Sequence, residues 1–439
     1  MSVQPNAVPF TLAWRFWVVV LLVGVGAGLA GGLLTLLLHL VQDLAFGYHD
    51  TSFQAGVDAA PWWRRLLVPT LAGLVAGLGW WWLRGPVSRR LGPMRGVSGA
   101  VWTPDARMGL RRTVLDGLLQ IVVVAMGASL GREGAPREIA AALGSRLGEL
   151  TGLTDDQRRL LVACGAGAGL AAVYDVPFGG ALFTLEVLLG SLALPVAIPA
   201  AVTATLGAVV AWSIVGDAAV YAVPPFPTTG AAVVFAVLAA PVCGLAAVGF
   251  VRLVTWSRGP RPTGWRLPVA TTVVFAAIGA LATGLPELLG NGKGPTQIVL
   301  DGDGPVLVLA ALVLLKPLAT VASLRAGASG GLFTPTLATG ALLGALLGHG
   351  WVLLWPGSPV GAFALIGAAA FVAAALQAPL AAVVLVLELT RVGTGLLVPV
   401  TLAAVLGVLV ARLVEPRSTT TAGLLEPPTP PSGRKPSLE

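Results

Sequence analysis

Between Phe16 and Leu40 the chain reads "FWVVVLLVGVGAGLAGGLLTLLLHL", with no formally charged side chain and a length beyond the roughly 20 apolar residues that a bilayer crossing needs. Gly109 to Ala128, Val269 to Leu285 and Val306 to Val321 come close to that length, and many other apolar stretches are shorter or broken by glycine. With 56% hydrophobic and only 11% charged residues, no soluble fold of this size hides the apolar surface. An all-α polytopic membrane protein of about ten to eighteen helical segments is expected. Interrupted helices at membrane depth survive only where protein packs them or where they line a cavity. The first window is too long for the apolar core of a secretory signal, about 7–15 residues, and reads as a retained span.

Charge placement sets an orientation. Residues 84–112 carry Arg84, Arg89, Arg90, Arg95, Arg107, Arg111 and Arg112, whereas residues 41–60 carry Asp43, Asp50 and Asp58 and no lysine or arginine. The former is expected to be cytoplasmic and the latter external. Arg252, Arg258, Arg261 and Arg266 mark another cytoplasmic loop, and Arg412, Arg417, Arg434 and Lys435 place the C-terminus inside with the N-terminus. The formal charge of +7 is thereby explained without nucleic acid. Cys164 and Cys243 sit in apolar stretches without a motif and read as buried thiols, not as a disulfide or metal pair. No pattern calls for a cofactor or metal. Past Leu425 the proline-rich "EPPTPPSGRKPSLE" reads as a disordered cytoplasmic tail over 426–439.

Internal similarity is the most informative feature. "GASLGREGAP" (127–136) and "GASGGLFTP" (327–335) share a glycine-rich entry, a proline and a following small-residue helix. Downstream, "AGAGLAAVYDVPFGGALFTLE" (166–186) aligns without a gap on "AAAFVAAALQAPLAAVVLVLE" (368–388), pairing Pro177 with Pro379 and Glu186 with Glu388. Two halves are expected, 1–215 and 216–425. Duplicated halves with broken helices at matching positions are the pattern of transporters whose substrate sits between repeats at the midplane. If the halves are inverted, two helix N-termini face one another, and their unpaired N–H groups favour an anion. Glu133 sits at such a start. It either competes with the anion as a gate, or caps its own helix or pairs with Arg132 or Arg137.

"GREGAP", "GGLFTP" and "YDVPFGGALFTLEV" together resemble the CLC family of chloride channels and proton-coupled chloride antiporters, over roughly residues 12–425. The resemblance implies inverted halves, broken re-entrant helices, a homodimer with one pore per subunit in the plasma (cell inner) membrane, and chloride or a similar small anion as cargo. It implies that Glu133, within Gly131, Arg132, Glu133, Gly134 and Pro136, is the external gate, and that the backbone around Gly331, Leu332 and Phe333 holds the anion, with Arg325 adding positive potential. The family's serine motif is poorly kept in "RGVSGAV" (95–101), so either Ser98 offers a hydroxyl or Val97 takes its place. Thr420 or a neighbour stands where an inner-gate tyrosine belongs. Val187 follows Glu186 where exchangers commonly carry a proton-transfer acid, which favours channel-like or weakly coupled conduction. Glu186 is then a proton-pathway candidate or a satisfied buried helix residue, and Asp116 and Lys316 are functional or structurally paired. Proton-coupled chloride or fluoride exchange is the alternative. More remote are a cation-coupled organic solute carrier and a rhomboid-like protease using Ser329 in "GASG" with His349 as base.

Overall fold

The computed structural model describes residues 14–48, 52–93, 95–103 and 105–415. Within them lie seventeen α-helices and, apart from one isolated bridge, no β-structure. Seven helices are long and apolar enough to cross a membrane: Trp14–Phe46, Trp62–Arg84, Leu194–Val215, Gly230–Ser257, Val306–Arg325, Phe333–Leu354 and Thr394–Val414. Shorter apolar helices, such as Val360–Leu376 and Pro379–Thr390, are the interrupted pieces expected at membrane depth. The expected tail over 426–439, and Thr420, lie outside the described residues.

The chain packs itself twice in the same way. Trp14–Phe46 lies on Leu194–Val215 and Asp155–Tyr174, and Gly230–Ser257 lies on Thr394–Val414 and Val360–Leu376. In each half one glycine allows the approach: a Cβ on Gly207 would stand 2.9 Å from the Ala168 carbonyl, and one on Gly407 would stand 2.8 Å from that of Ala370. Small residues at these crossings let backbones touch where lipid removes any hydrophobic drive for helix association.

The breaks are repeated too. Leu110–Ala125 ends with Gly127 at φ 100°, and Val306–Arg325 ends with Gly327 at φ 107°. At the first end Gly127 N–H donates to Val124 and Ala128 N–H to Val123. At the second, Gly327 N–H donates to Leu324 and Ala328 N–H to Ser323. Both are glycine-terminated helix stops of the Schellman type, where a left-handed residue satisfies the last carbonyls. Each stop turns the chain back toward the protein centre. Pro136 and Pro335, in the first turns of the next helices, need no N–H donor there.

Candidate functional site

The two returning strands meet. Gly131 N–H donates to Gly331 O at 2.7 Å, and Gly331 N–H donates to Gly131 O at 2.9 Å, an antiparallel bridge between the halves. Just beyond it start the helices Gly134–Leu150 and Phe333–Leu354. Glu133 is wholly buried at this junction. Its Oε1 accepts from Phe333 N–H at 2.7 Å, while Oε2 accepts from Tyr174 Oη at 2.8 Å and from Thr334 Oγ1 at 3.1 Å. The Tyr174 and Thr334 hydroxyls are also in contact with each other. A carboxylate from one half therefore sits on the positive N-terminal end of a helix from the other, where oriented N–H groups favour negative charge. Glu133 does not cap its own helix, and among the described residues it forms no ion pair with Arg132 or Arg137.

Glycine on both strands leaves the Glu133 carboxylate its room. A Cβ on Gly131 would lie 2.2 Å from Glu133 Oε1, and one on Gly331 would lie 2.1 Å from it. Gly134 is hemmed in by Gln120 Oε1 and the Gly331 backbone. Arg132 turns away from the carboxylate: its guanidinium covers the Tyr174 ring at 5.1 Å and donates to Val173 O at 3.3 Å. Leu332 and Phe333 are buried where their segment meets Glu133.

On the other side of this junction lies a vestibule of about 260 Å³, walled by Val97, Ser98, Ser329, Leu332, Phe333 and Thr336. Ser98 lies in the short helix Val97–Val101 and is buried, as is Val97. Both positions line the vestibule. Arg84, Arg95, Arg112, Arg137, Arg258 and Arg261 line the same space beside Asp116 and Glu138. Six arginines against two carboxylates give this partly open cavity a net positive lining, which favours anions over cations. Arg84 donates to Ser329 Oγ at 3.0 Å, and Arg95 pairs with Asp105 at 2.7 Å. Burial opposes ionisation of Asp105, but the Arg95 guanidinium outweighs it and holds that carboxyl below the usual carboxylate range.

Glu186 is engaged elsewhere. It accepts from the N–H groups of Leu380 at 3.3 Å and Ala381 at 2.7 Å, in the first turn of Pro379–Thr390. Val187 beside it is buried. Asp116 accepts from Trp80 Nε1 at 2.7 Å and Gln120 Nε2 at 2.6 Å. Lys316 is wholly buried and donates to the carbonyls of Leu288, Leu289 and Gly290. Arg325, expected to add positive potential at the anion segment, stacks on Trp256 at 4.9 Å. Ser329 precedes Phe333–Leu354, while His349 lies about 24 Å along that helix from its start at ~1.5 Å per residue, so the two form no hydrolytic pair. Tyr174 and Thr334, the two side-chain donors to the Glu133 carboxylate, were not singled out from the sequence. The available signal was a hydroxyl side chain after "GGLF" and the tyrosine of "YDVP".

Comparison with known proteins agrees with this geometry. The sequence model of the voltage gated chloride channel family matches residues 72–412. A putative chloride channel protein, ClcB-like, from Ralstonia nicotianae is 34% identical over 83% of this chain and 86% of its own length. A voltage-gated ClC-type chloride channel, ClcB, from Salmonella typhimurium is 30% identical over 90% and 96%. Among solved structures, a slow cyanobacterial Cl⁻/H⁺ antiporter superposes with a TM-score of 0.80 at 18% identity, covering 94% of this chain and 98% of that one. A CLC-type fluoride/proton antiporter superposes with a TM-score of 0.74 at 19% identity, covering 92% and 97%. The chain is a multi-pass membrane protein of the voltage gated chloride channel (CLC) family, whose members move chloride across membranes.

Proposed function

We propose that this protein conducts chloride or a similarly small anion through a pore gated by Glu133, in a channel-like or weakly proton-coupled manner. One observation carries the reading: the Glu133 carboxylate occupies the Phe333 N–H at the start of the opposing helix, the kind of site an anion takes. The ionised side chain stands in for the anion. When it is protonated or displaced, the seat is vacated. The backbone of Gly131, Arg132, Gly134, Gly331, Leu332 and Phe333 forms the polar collar of this seat, and Ser98 serves the ion from the vestibule. Val187 offers no proton relay, and Glu186 is occupied as a helix cap, which supports weak coupling. The halves divide near residue 215. The protein works as a homodimer in the cell inner membrane, with the arginine-lined vestibule and both termini on the cytoplasmic side.

Proton-coupled exchange of chloride or fluoride has one observation in its favour. Asp116 and Glu138 line the vestibule and share the Gln120 amide, at 2.6 and 3.4 Å, and Gln120 also abuts Gly134 beside the gate. Proton movement in reconstituted vesicles under an imposed chloride gradient separates the readings. Anion flux without accompanying protons supports the channel, and a fixed ratio supports exchange. In the same vesicles, the flux of the parent rises as pH falls, because protonation removes the competing charge. Glu133→Ala and Glu133→Gln conduct at every pH. If both variants keep the parent's pH profile, the gate lies elsewhere.

A further inference from the structure

The Glu133 seat is unusual in the source of its donors. Oε1 is served by a backbone N–H, but Oε2 is served by two side-chain hydroxyls, one from the end of Asp155–Tyr174 and one from the first turn of Phe333–Leu354. Tyr174 and Thr334 are each only 3% exposed, so water does not replace the carboxylate at their hydroxyls at no cost. Buried donors need an acceptor. Once Glu133 leaves, one hydroxyl can donate to the other, with which it is already in contact, but the second O–H and the Phe333 N–H are left without an acceptor until an anion takes its place.

We propose that the Tyr174 and Thr334 hydroxyls are anion ligands of this seat and bias it toward small, charge-dense anions such as chloride over diffuse ones such as nitrate or thiocyanate. This inference rests on the reading of Glu133 as a gate. An O–H donor is directional, and a hydrogen bond to an ionised acceptor is short and roughly twice as strong as a neutral one. A halide that concentrates its charge in a small sphere accepts both hydroxyls and the Phe333 N–H together. An anion that spreads its charge over several atoms gains less from the same three donors.

The phenol is held ready for this task. The Arg132 guanidinium lies against its ring at 5.1 Å, and Arg132 also donates to the adjoining Val173 carbonyl. On another side the Phe333 ring approaches to 6.1 Å between centroids. Asp175, the next residue, ends the helix in the left-handed region at φ 54° and is tied to Arg391 and to Trp212 Nε1. A swing of the ring therefore breaks its contacts with Arg132 and Phe333, and the ties of Asp175 fix the backbone beside it. Such preorganised donors lose little on binding. Ser98, by contrast, meets an ion only from the vestibule wall.

The test uses the full chain with the seat emptied by Glu133→Ala. Chloride and nitrate binding are measured by calorimetry in detergent, and flux ratios in vesicles. Adding Tyr174→Phe, which keeps the ring and its contacts, raises the chloride Kd about tenfold, the loss expected of one hydrogen bond to a charged acceptor. The nitrate Kd rises by less than about threefold, so the chloride-over-nitrate flux ratio falls. Thr334→Val shifts the ratio in the same direction and provides a second reading should Tyr174→Phe fold poorly. If Glu133→Ala binds chloride and conducts, yet neither hydroxyl deletion moves the chloride Kd or the ratio, the hydroxyls only latch the carboxylate and the inference is overturned. If Glu133→Ala neither conducts nor binds chloride, the gate reading itself fails and takes this inference with it.

Discussion

Glu186 and Glu388 exchange places across the two halves. Glu186 accepts from the N–H groups of Leu380 and Ala381 at the start of Pro379–Thr390, and Glu388 accepts from those of Phe178 and Gly179, at 3.0 and 2.7 Å, at the start of Pro177–Leu182. Each half thus supplies the anionic cap for a helix of the other, the arrangement an inverted duplication produces when the same acid is kept twice. It is also the arrangement at Glu133, whose carboxylate in one half accepts from Phe333 N–H of the other. The difference lies in neighbours: Glu133 lies against Gly131 and Gly331 of the bridged segments, and the two caps do not.

Stability should separate caps from gate. Replacing Glu186 or Glu388 with alanine leaves two N–H groups at a helix start without their acceptor, which costs about 1–3 kcal/mol. Chemical or thermal unfolding in detergent is expected to show that loss, with glutamine in between. Anion selectivity should stay unchanged. A Glu186→Gln protein that melts like the parent but no longer moves protons would instead restore Glu186 to a proton pathway.

Gly331→Ala tests the seat without touching its acid. The added Cβ would stand 2.1 Å from Glu133 Oε1, so the carboxylate must leave. Conduction at neutral pH is expected to rise toward that of Glu133→Ala, with the pH dependence flattened. Retention of a closed, pH-dependent pore would show that the strand yields and that the glycine is not needed for the seat.

Lys316 holds a turn, not an ion. Its ammonium donates to three carbonyls over residues 288–290, at 2.8, 3.4 and 2.7 Å. Lys316→Met leaves buried carbonyls unsatisfied, at about 1–3 kcal/mol each. The expected result is a marked drop in melting temperature with the chloride-over-nitrate ratio unaltered. A changed ratio at parental stability would make the lysine part of the pathway.

The sequence was legible wherever the chain repeats itself. The shared glycine-rich entries of "GASLGREGAP" and "GASGGLFTP" marked the two segments that the Gly131–Gly331 bridge joins, and the gapless alignment of 166–186 on 368–388 paired Glu186 with Glu388. Side-chain partners that depend on helix rotation were not legible. No local pattern tells that Tyr174 points across to Glu133, or that the partners of Lys316 are carbonyls and not a carboxylate. The guanidinium of Arg325, expected to add positive potential, lies on an aromatic face at the end of the helix Gly230–Ser257, a partner that no local pattern shows. The Ser98 or Val97 choice stayed open in the sequence because the serine motif is imperfect, and both residues line one wall of the vestibule.

The account turns on whether an anion takes the place that Glu133 holds. Crystals of Glu133→Gln grown in bromide give a direct answer through anomalous scattering. A bromide peak within hydrogen-bond reach of Phe333 N–H and the Tyr174 hydroxyl is the expected result. Bromide bound only at other positions, in a variant that still conducts, would contradict it.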